Sequence, residues 1–146
     1  MIEGSCLCGS VTFQISGDIA ELGNCHCSEC RKAYGAAFGT VAVVERSDFT
    51  YTSGKELVRR FQQSERVNRY FCDRCGSPLP MVEDWDHLVG IPAGLFDDEI
   101  DAQISSHIFV GSKASWWQIN DDLPQHDTYP PGENMNDRAK GLRQQE

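Results

Sequence analysis

Seven cysteines in three close groups constrain this chain more than any other feature of its sequence. One pair precedes a triple and a second pair follows it, and the members are Cys6 and Cys8, then Cys25, Cys27 and Cys30, then Cys72 and Cys75. An odd number of cysteines does not complete a disulfide framework, and spacings this short are typical of metal ligands in a reducing compartment. The sequence therefore predicts a domain cross-linked by metal.

The two pairs together supply four thiolates. In an extended backbone, residues i and i+2 point to the same side, so both members of the first pair can reach one metal ion. In Cys72-x-x-Cys75-Gly76 the turn brings two more sulfurs together. Joined across the chain, the pairs would form a four-thiolate zinc site that stabilises the fold and has no position for a substrate. Spacing alone leaves another pairing open, in which Cys72 and Cys75 meet Cys27 and Cys30.

The triple has no fourth cysteine, so a zinc ion bound there would keep an open position. With three thiolates the site carries a formal charge of about −1, which makes it a poor generator of hydroxide. Such a site is suited to take an incoming thiol, deprotonate it and present it to an electrophile. We therefore predict that Cys25, Cys27 and Cys30 form a catalytic zinc site. The alternative is a closed site completed by a histidine, and the candidates are His26, His87, His107 and His126, of which His26 points away from its cysteine neighbours.

Basic and aromatic residues near the triple are candidates for substrate binding. Arg31 and Lys32 follow it directly and would offset its negative charge or hold a carboxylate. Lys113, just before Trp116 and Trp117, is a further candidate for the pocket. The alternative is that both groups are ordinary surface charges and packing aromatics.

Composition limits the class of protein. The 146 residues fit one domain, with 13 basic and 22 acidic residues and a net charge of −9. That balance disfavours nucleic acid as a partner. No apolar run approaches the ~20 residues of a membrane helix, and the N-terminus lacks the basic start and apolar stretch of a leader. We expect a cytoplasmic protein without a membrane partner, and nothing in the sequence indicates its oligomeric state.

The secondary structure predicted from residue patterns is mainly β. Alternation of apolar and polar residues predicts strands over 11–16 and 67–71, and further strands are expected over 37–44, 78–82, 87–91 and 107–110. Residues 49–52 and 57–63 are predicted to form a hairpin across Ser53-Gly54. At most two turns of helix fit within 28–35. We expect one compact, zinc-stapled domain over residues 1–132, followed by a loosely held polar tail over 133–146.

Motifs spread over nearly the whole chain resemble those of one known family. They are Cys6-x-Cys8-Gly9, Cys25-His26-Cys27-x-x-Cys30-Arg31-Lys32, Phe71-Cys72-x-x-Cys75-Gly76-Ser77-Pro78-Leu79, Pro92-Ala93-Gly94-Leu95-Phe96 and His107-Ile108-Phe109-Val110-Gly111. The family is that of the glutathione-dependent formaldehyde-activating enzymes, which also includes centromere protein V.

The resemblance implies a fold, two metal sites and a reaction. The fold would be of the β-tent type. One structural zinc ion would be held by Cys6, Cys8, Cys72 and Cys75, and a second, associated with activity, by Cys25, Cys27 and Cys30. The reaction would add glutathione to formaldehyde to give S-hydroxymethylglutathione, formally a carbon–sulfur lyase running in reverse.

Three hypotheses follow for the function. The leading one is a zinc-dependent carbon–sulfur lyase-like enzyme that joins a thiol, glutathione in the first place, to a small electrophile such as formaldehyde. A second is a protein-binding module whose zinc ions are purely structural. A third is an enzyme of the same fold that uses a different thiol.

Overall fold

The computed structural model describes residues 1–131, and these contain ten β-strands and one α-helix. The strands are β1 (Ile2–Ser5), β2 (Thr12–Ile15), β3 (Glu21–Cys25), β4 (Gly39–Glu45), β5 (Phe49–Ser53), β6 (Val58–Gln62), β7 (Asn68–Cys72), β8 (Pro78–Leu79), β9 (Leu88–Pro92) and β10 (His107–Ile108), and the helix is α1 (Ser28–Tyr34). The prediction of a mainly β fold with a short helix is confirmed. Residue 132 and the predicted tail over 133–146 lie outside the described residues.

The strands form three sheets, and two of them share the main hydrophobic core. The first sheet has the order β1-β2-β5 and the second the order β10-β3-β4-β9, in which only the β10–β3 pair is parallel. Alternation in β2 directs Phe13 and Ile15 inward, against Leu22 of β3 and the inward residues of β4 and β9. Burying each such side chain contributes roughly 1.5–3 kcal/mol, so this core supplies much of the driving force for folding.

The third sheet, with the order β6-β7-β8, contributes to a second core. Cys72 at the end of β7 and Leu79 in β8 are buried there together with Cys6 and Val11 from the N-terminal part of the chain. The end of the first strand and the middle of the chain therefore meet around cysteine sulfurs.

The predicted hairpin over 49–63 is wrong. β5 pairs with β2 in the first sheet, whereas β6 pairs with β7 in the third sheet. A short 3-10 turn over Lys55–Leu57 lies between β5 and β6 and redirects the chain from one sheet to the other. The turn at Ser53-Gly54 thus leads the chain from the first sheet to the third and does not form a hairpin within one sheet.

Other strand boundaries differ from the predicted ones in smaller ways. β1 and β3 were not predicted, and the strand expected over 37–44 begins only at Gly39. The last strand ends at Ile108, because Phe109 adopts a left-handed conformation with φ of 57°. Within residues 1–131 no helix has the length and apolar character that a membrane crossing requires.

Candidate metal centres and the adjoining cleft

Four cysteine sulfurs from two distant loops meet in one cluster. The Sγ atoms of Cys6, Cys8, Cys72 and Cys75 all lie within 4.8 Å of one another, and we call this group the four-cysteine cluster. The Sγ atoms of Cys6 and Cys8 are 3.6 Å apart, and those of Cys8 and Cys72 are 4.0 Å apart. Tetrahedral zinc with bonds of about 2.3 Å separates its sulfur ligands by about 3.8 Å. The donor set and its spacing therefore fit a closed zinc site.

The two loops of this cluster share two kinds of backbone hydrogen bond. In each, a glycine with φ of 77° donates its N–H to the carbonyl of the first cysteine, Gly9 to Cys6 at 2.9 Å and Gly76 to Cys72 at 2.8 Å. A further backbone N–H in each loop donates to the Sγ atom of that same cysteine, at 3.3 Å and 3.4 Å. Backbone donors thus stabilise negative charge on the sulfurs.

Serine hydroxyls support the more exposed sulfurs of the four-cysteine cluster. The side chain of Ser77, 3.4 Å from Sγ of Cys75, lowers the pKa of that thiol to about 5. Hydrogen bonding by Ser10 likewise lowers the pKa of Cys8. Because metal ligation requires the thiolate, these hydroxyls favour the binding form of the two cysteines.

The second cluster comes from a single short segment. Cys25 is the last residue of β3, Cys27 caps the N-terminus of α1, and Cys30 lies one turn into the helix. The backbone N–H of Cys30 donates to Sγ of Cys27 at 3.3 Å, and the three Sγ atoms lie within 4.8 Å of one another. We call this group the three-cysteine cluster.

The donor set of the three-cysteine cluster fits three of the four ligands of a tetrahedral zinc ion. Among residues 1–131, no histidine, aspartate, glutamate or further cysteine joins these three sulfurs at the same spacing. All three cysteines are buried, with 3–6% of their surface exposed. The cluster is therefore an enclosed group of three sulfurs, and Oε2 of Glu29 lies 4.0 Å from Sγ of Cys27 without joining all three.

Gly39 allows α1 to lie close to the sheet at this cluster. It pairs with Cys25 across β3 and β4, and the ring of Tyr34 covers it. A Cβ atom at position 39 would overlap that ring and would lie 3.4 Å from the Cβ atom of Cys30. A glycine at position 39 therefore permits the close contact between helix α1 and strand β4.

Aromatic side chains enclose the three-cysteine cluster. Phe109, in its left-handed conformation, is buried against the cysteines and meets the ring of Tyr129 at a centroid distance of 5.0 Å. Tyr34 and Ile108 complete this packing. Burial and then the neighbouring Cys30 raise the pKa of Tyr34, so its hydroxyl stays neutral.

A half-buried arginine that the sequence reasoning missed lies against the cluster. Arg69 of β7 places Nη2 3.9 Å from Sγ of Cys30 and donates from Nε to Oε1 of Gln63 at 2.9 Å. Burial lowers the pKa of Arg69, but the negative charge of Cys30 and its neighbours outweighs this effect, and the net pKa is raised. The guanidinium is therefore a cation placed directly beside a sulfur of this cluster.

The histidines considered as a fourth ligand lie elsewhere. His26 points its Nε2 at Nδ1 of His107, 2.8 Å away, and Nε2 of His107 lies 3.0 Å from the carboxylate of Asp121. Burial, followed by the nearby His107, lowers the pKa of His26 to about 4. His87 is exposed beside Asp86, and His126 takes part in backbone pairing. None of these four side chains joins either cysteine cluster within the described part of the chain.

The three predicted substrate-binding residues have different positions. Arg31 donates from Nε to the carbonyl of His26 at 3.3 Å. Lys113 donates from Nζ to the carbonyls of Trp117 and Ala114, at 2.6 Å and 3.2 Å. Lys32 is exposed and lines a cavity of about 380 Å³. The structure thus does not bring the three cations into one pocket.

This cavity separates α1 from the third sheet, and we call it the α1–β7 cleft. Glu29, Lys32 and Tyr34 from the helix line one side, and Phe61, Arg69 and Phe71 from β6 and β7 line the other. Because Arg69 lines the cleft and also contacts Cys30, the cleft adjoins the three-cysteine cluster.

Comparison with known proteins connects this arrangement to a family. The profile of the family described as glutathione-dependent formaldehyde-activating enzyme matches residues 1–112. A protein of Halomonas elongata, provisionally named for that activity, is 28% identical over 127 residues, which cover 82% of this chain and 81% of the relative. A protein of Aspergillus flavus with the same provisional name is 33% identical over 84 residues, covering 56% of this chain and 44% of the relative.

A solved structure shares the fold. The crystal structure of a Rhodobacter sphaeroides protein superimposes with a TM-score of 0.55 and 23% identity, over 68% of this chain and 91% of that protein. At this level of identity the likeness concerns the fold alone.

Proposed function

Because the chain belongs to the glutathione-dependent formaldehyde-activating enzyme family, we propose that it joins the thiol of glutathione to formaldehyde. The product is S-hydroxymethylglutathione, and the reverse reaction is a carbon–sulfur lyase reaction. The observation that carries the proposal is the three-cysteine cluster, whose buried sulfurs offer three ligands and leave a fourth position to an incoming group. A zinc ion at this cluster would lower the pKa of the substrate thiol and so supply the thiolate nucleophile.

The chemical step balances without a redox partner. The thiol loses its proton, its sulfur forms a bond to the carbonyl carbon, and the electron pair of the C=O double bond moves to oxygen. That oxygen takes up one proton, so thiol plus aldehyde gives the hydroxymethyl thioether with nothing else consumed. The reverse step returns both reactants.

Different residues of this chain would have different roles in the reaction. Cys25, Cys27 and Cys30 would hold the metal, and the guanidinium of Arg69, 3.9 Å from Cys30, would offset their charge. Phe109 and Tyr34 would keep bulk water from the sulfurs, because both pack against them. The four-cysteine cluster would hold a second zinc ion that joins the N-terminal loop to β7 and takes no part in the chemistry.

The cysteines also support a location for this chemistry. None of the seven forms a disulfide in the described structure, and reduced cysteines persist in a reducing compartment. We therefore place the reaction in the cytoplasm, where a thiol substrate stays reduced.

Formaldehyde exchange measured by carbon-13 NMR tests the proposal. Labelled formaldehyde and glutathione interconvert slowly with their adduct, and the zinc-loaded protein is expected to increase the exchange rate in proportion to its concentration. Cys27→Ser protein, with its fold checked by circular dichroism, should not. An exchange rate unchanged by the wild-type protein would contradict the proposal.

The same measurement separates glutathione from other thiols. Cysteine, 2-mercaptoethanol and glutathione are compared at equal thiolate concentration. Acceleration with another thiol but not with glutathione would keep the reaction class and replace the substrate.

A further inference from the structure

We propose that Asp121 and His107 are positioning residues, which hold His26 and thereby fix the two metal-binding cysteines that flank it. This inference rests on the proposed function, because it takes the three-cysteine cluster as the site of the metal, and it gives a role to two residues outside that cluster. Asp121 lies beyond residues 1–112, over which the family profile matches.

The position of His26 between two sulfurs is the first argument. The chain leaves β3 at Cys25 and enters α1 after Cys27, so one residue joins the two ligands. The backbone N–H of His26 donates to the carbonyl of Ile108 at 2.9 Å, and its own carbonyl accepts from Nε of Arg31 at 3.3 Å. Its ring is fully buried. A change in the backbone of this residue would therefore move both flanking sulfurs.

A chain of hydrogen bonds from the ring of His26 to the surface is the second argument. Nε2 of His26 lies 2.8 Å from Nδ1 of His107, and Nε2 of His107 lies 3.1 Å and 3.0 Å from the two carboxylate oxygens of Asp121. The side chain of His107 is 2% exposed and that of Asp121 is 45% exposed. The backbone N–H of Leu123 donates to Oδ1 of Asp121 at 3.0 Å and orients the carboxylate. A surface carboxylate thus reaches the buried ring through one intermediate.

The direction of donation along this chain follows from Asp121. A carboxylate only accepts hydrogen bonds, so Nε2 of His107 is the donor. A neutral imidazole has a single N–H, and Nδ1 of His107 then accepts from Nε2–H of His26. Nδ1 of His26 keeps its lone pair, and it has no hydrogen-bond partner within residues 1–131. Both rings are therefore held as the Nε2–H tautomer.

Strand β10 connects the same residues through the backbone. It pairs in parallel with β3, and it carries both His107 and Ile108, whose carbonyl accepts from the N–H of His26. The N–H of His107 in turn donates to the carbonyl of Pro124 at 2.9 Å, three residues after Asp121. The segment that carries the carboxylate thus holds β10, and β10 holds His26 by its ring and by its backbone.

Long-range proton–nitrogen NMR correlation spectra of the wild-type protein test the chain of donors. These spectra distinguish the protonated from the unprotonated nitrogen of each imidazole. The chain has four histidines, so the variants His87→Gln and His126→Gln identify the signals of the other two rings. We expect the Nε2–H tautomer for both His26 and His107. A proton on Nδ1 of either buried ring would overturn the proposal.

The zinc affinity of Asp121→Ala tests the positioning role. Groups that orient metal ligands contribute about tenfold to a hundredfold in affinity, so the three-cysteine cluster should bind zinc about tenfold more weakly. The four-cysteine cluster should keep its affinity, which a general loss of stability would not allow. Cobalt(II) gives a second readout, because its visible absorption depends on ligand geometry, and its bands at the three-cysteine cluster should shift. The matched control is Asp122→Ala, the neighbouring exposed aspartate outside the chain of hydrogen bonds, which should leave both measurements unchanged.

The outcomes separate this inference from the proposed function. Equal zinc affinities for Asp121→Ala and Asp122→Ala would overturn the positioning role even if the wild-type protein accelerates formaldehyde exchange. A wild-type three-cysteine cluster that binds no zinc would overturn it as well. Selective loss of zinc in Asp121→Ala, without any acceleration of formaldehyde exchange by the wild-type protein, would keep the positioning role and overturn the reaction.

Discussion

The four-cysteine cluster joins two loops whose sulfurs are 64 residues apart in the sequence, whereas the three-cysteine cluster comes from one continuous segment at the start of α1. The first reaches the surface, with Cys8 exposed and Cys75 half-buried, and serine hydroxyls and backbone N–H groups stabilise its sulfurs. The second is buried, and a guanidinium lies against it.

Under the proposed function, the reactive cluster is the less exposed of the two. A cluster with four sulfurs completes its own coordination, so solvent access gives it no chemistry. A cluster with three sulfurs depends on its surroundings for a further ligand and for its charge, and here Arg69 supplies a cation. Cysteine side chains thus have a structural role in the four-cysteine cluster and a proposed catalytic role in the three-cysteine cluster.

Replacing a sulfur of the four-cysteine cluster should have the largest effect on folding. Cys72→Ala removes a ligand that links β7 to the N-terminal loop, and the metal-binding free energy of such a site is folding free energy. We expect a loss of roughly 4 kcal/mol or more in the free energy of unfolding, which lowers the melting temperature by about 12 °C. Thermal unfolding followed by circular dichroism checks this, and a shift below about 3 °C would contradict a structural role.

Replacing a sulfur of the three-cysteine cluster should separate activity from folding. Cys27→Ala is expected to lose one metal ion per chain and at least about a hundredfold in formaldehyde exchange, because the missing ligand opens the site. Its melting temperature should fall by less than half the shift seen for Cys72→Ala. Metal content, exchange rate and melting curves are measured on the same preparation. Equal losses of stability in the two variants would remove the distinction between the clusters.

Removing the half-buried cation Arg69 should weaken binding of only the second metal. Arg69→Met leaves the charge of three thiolates without its guanidinium, and groups that support metal ligands are worth about tenfold to a hundredfold in affinity. Competition with a chromophoric chelator measures the affinity. Arg69→Lys should recover part of it, and Arg60→Met, on β6 and outside the cleft, is the control. An unchanged affinity for Arg69→Met would show that the charge is offset elsewhere.

Removing a hydroxyl beside the four-cysteine cluster should have the smallest effect. Without the Ser77 hydroxyl, which lowers the pKa of Cys75 to about 5, the pKa of that thiol rises toward its ordinary value. Protons then compete better with the metal, so Ser77→Ala should release its first metal at a higher pH on acidification. Metal release against pH is compared with Ser105→Ala, a serine outside both clusters. Release at the wild-type pH would mean that the hydroxyl does not support the thiolate.

Individual strands and the grouping of the cysteines could be predicted from the sequence. Alternation located β2, in which buried and half-buried residues alternate, and also β7, although burial in β7 does not alternate. β1 and β3 were missed because Gly4 and Gly23 interrupt any alternating pattern in strands of four and five residues. The spacing of the seven cysteines predicted one group of four sulfurs and one group of three. The described structure brings the sulfurs together in those two groups. Their roles as zinc ligands remain predictions.

Contacts between distant segments could not be predicted from the sequence. The hairpin over 49–63 was wrong because nothing local shows that β5 has its partner in β2 and β6 in β7. Arg69 was missed for the same reason. In a strand that alternates, an arginine is expected to face water, and only the tertiary arrangement of β7 and α1 places it beside Cys30.

The most direct test of two unlike metal centres is the zinc content of wild-type protein purified under reducing conditions and supplied with zinc. Elemental analysis against a measured protein concentration should give two zinc ions per chain, one for each cysteine cluster. A single zinc ion per chain, even after zinc is supplied, would mean that the three-cysteine cluster is not a metal site and would contradict the account.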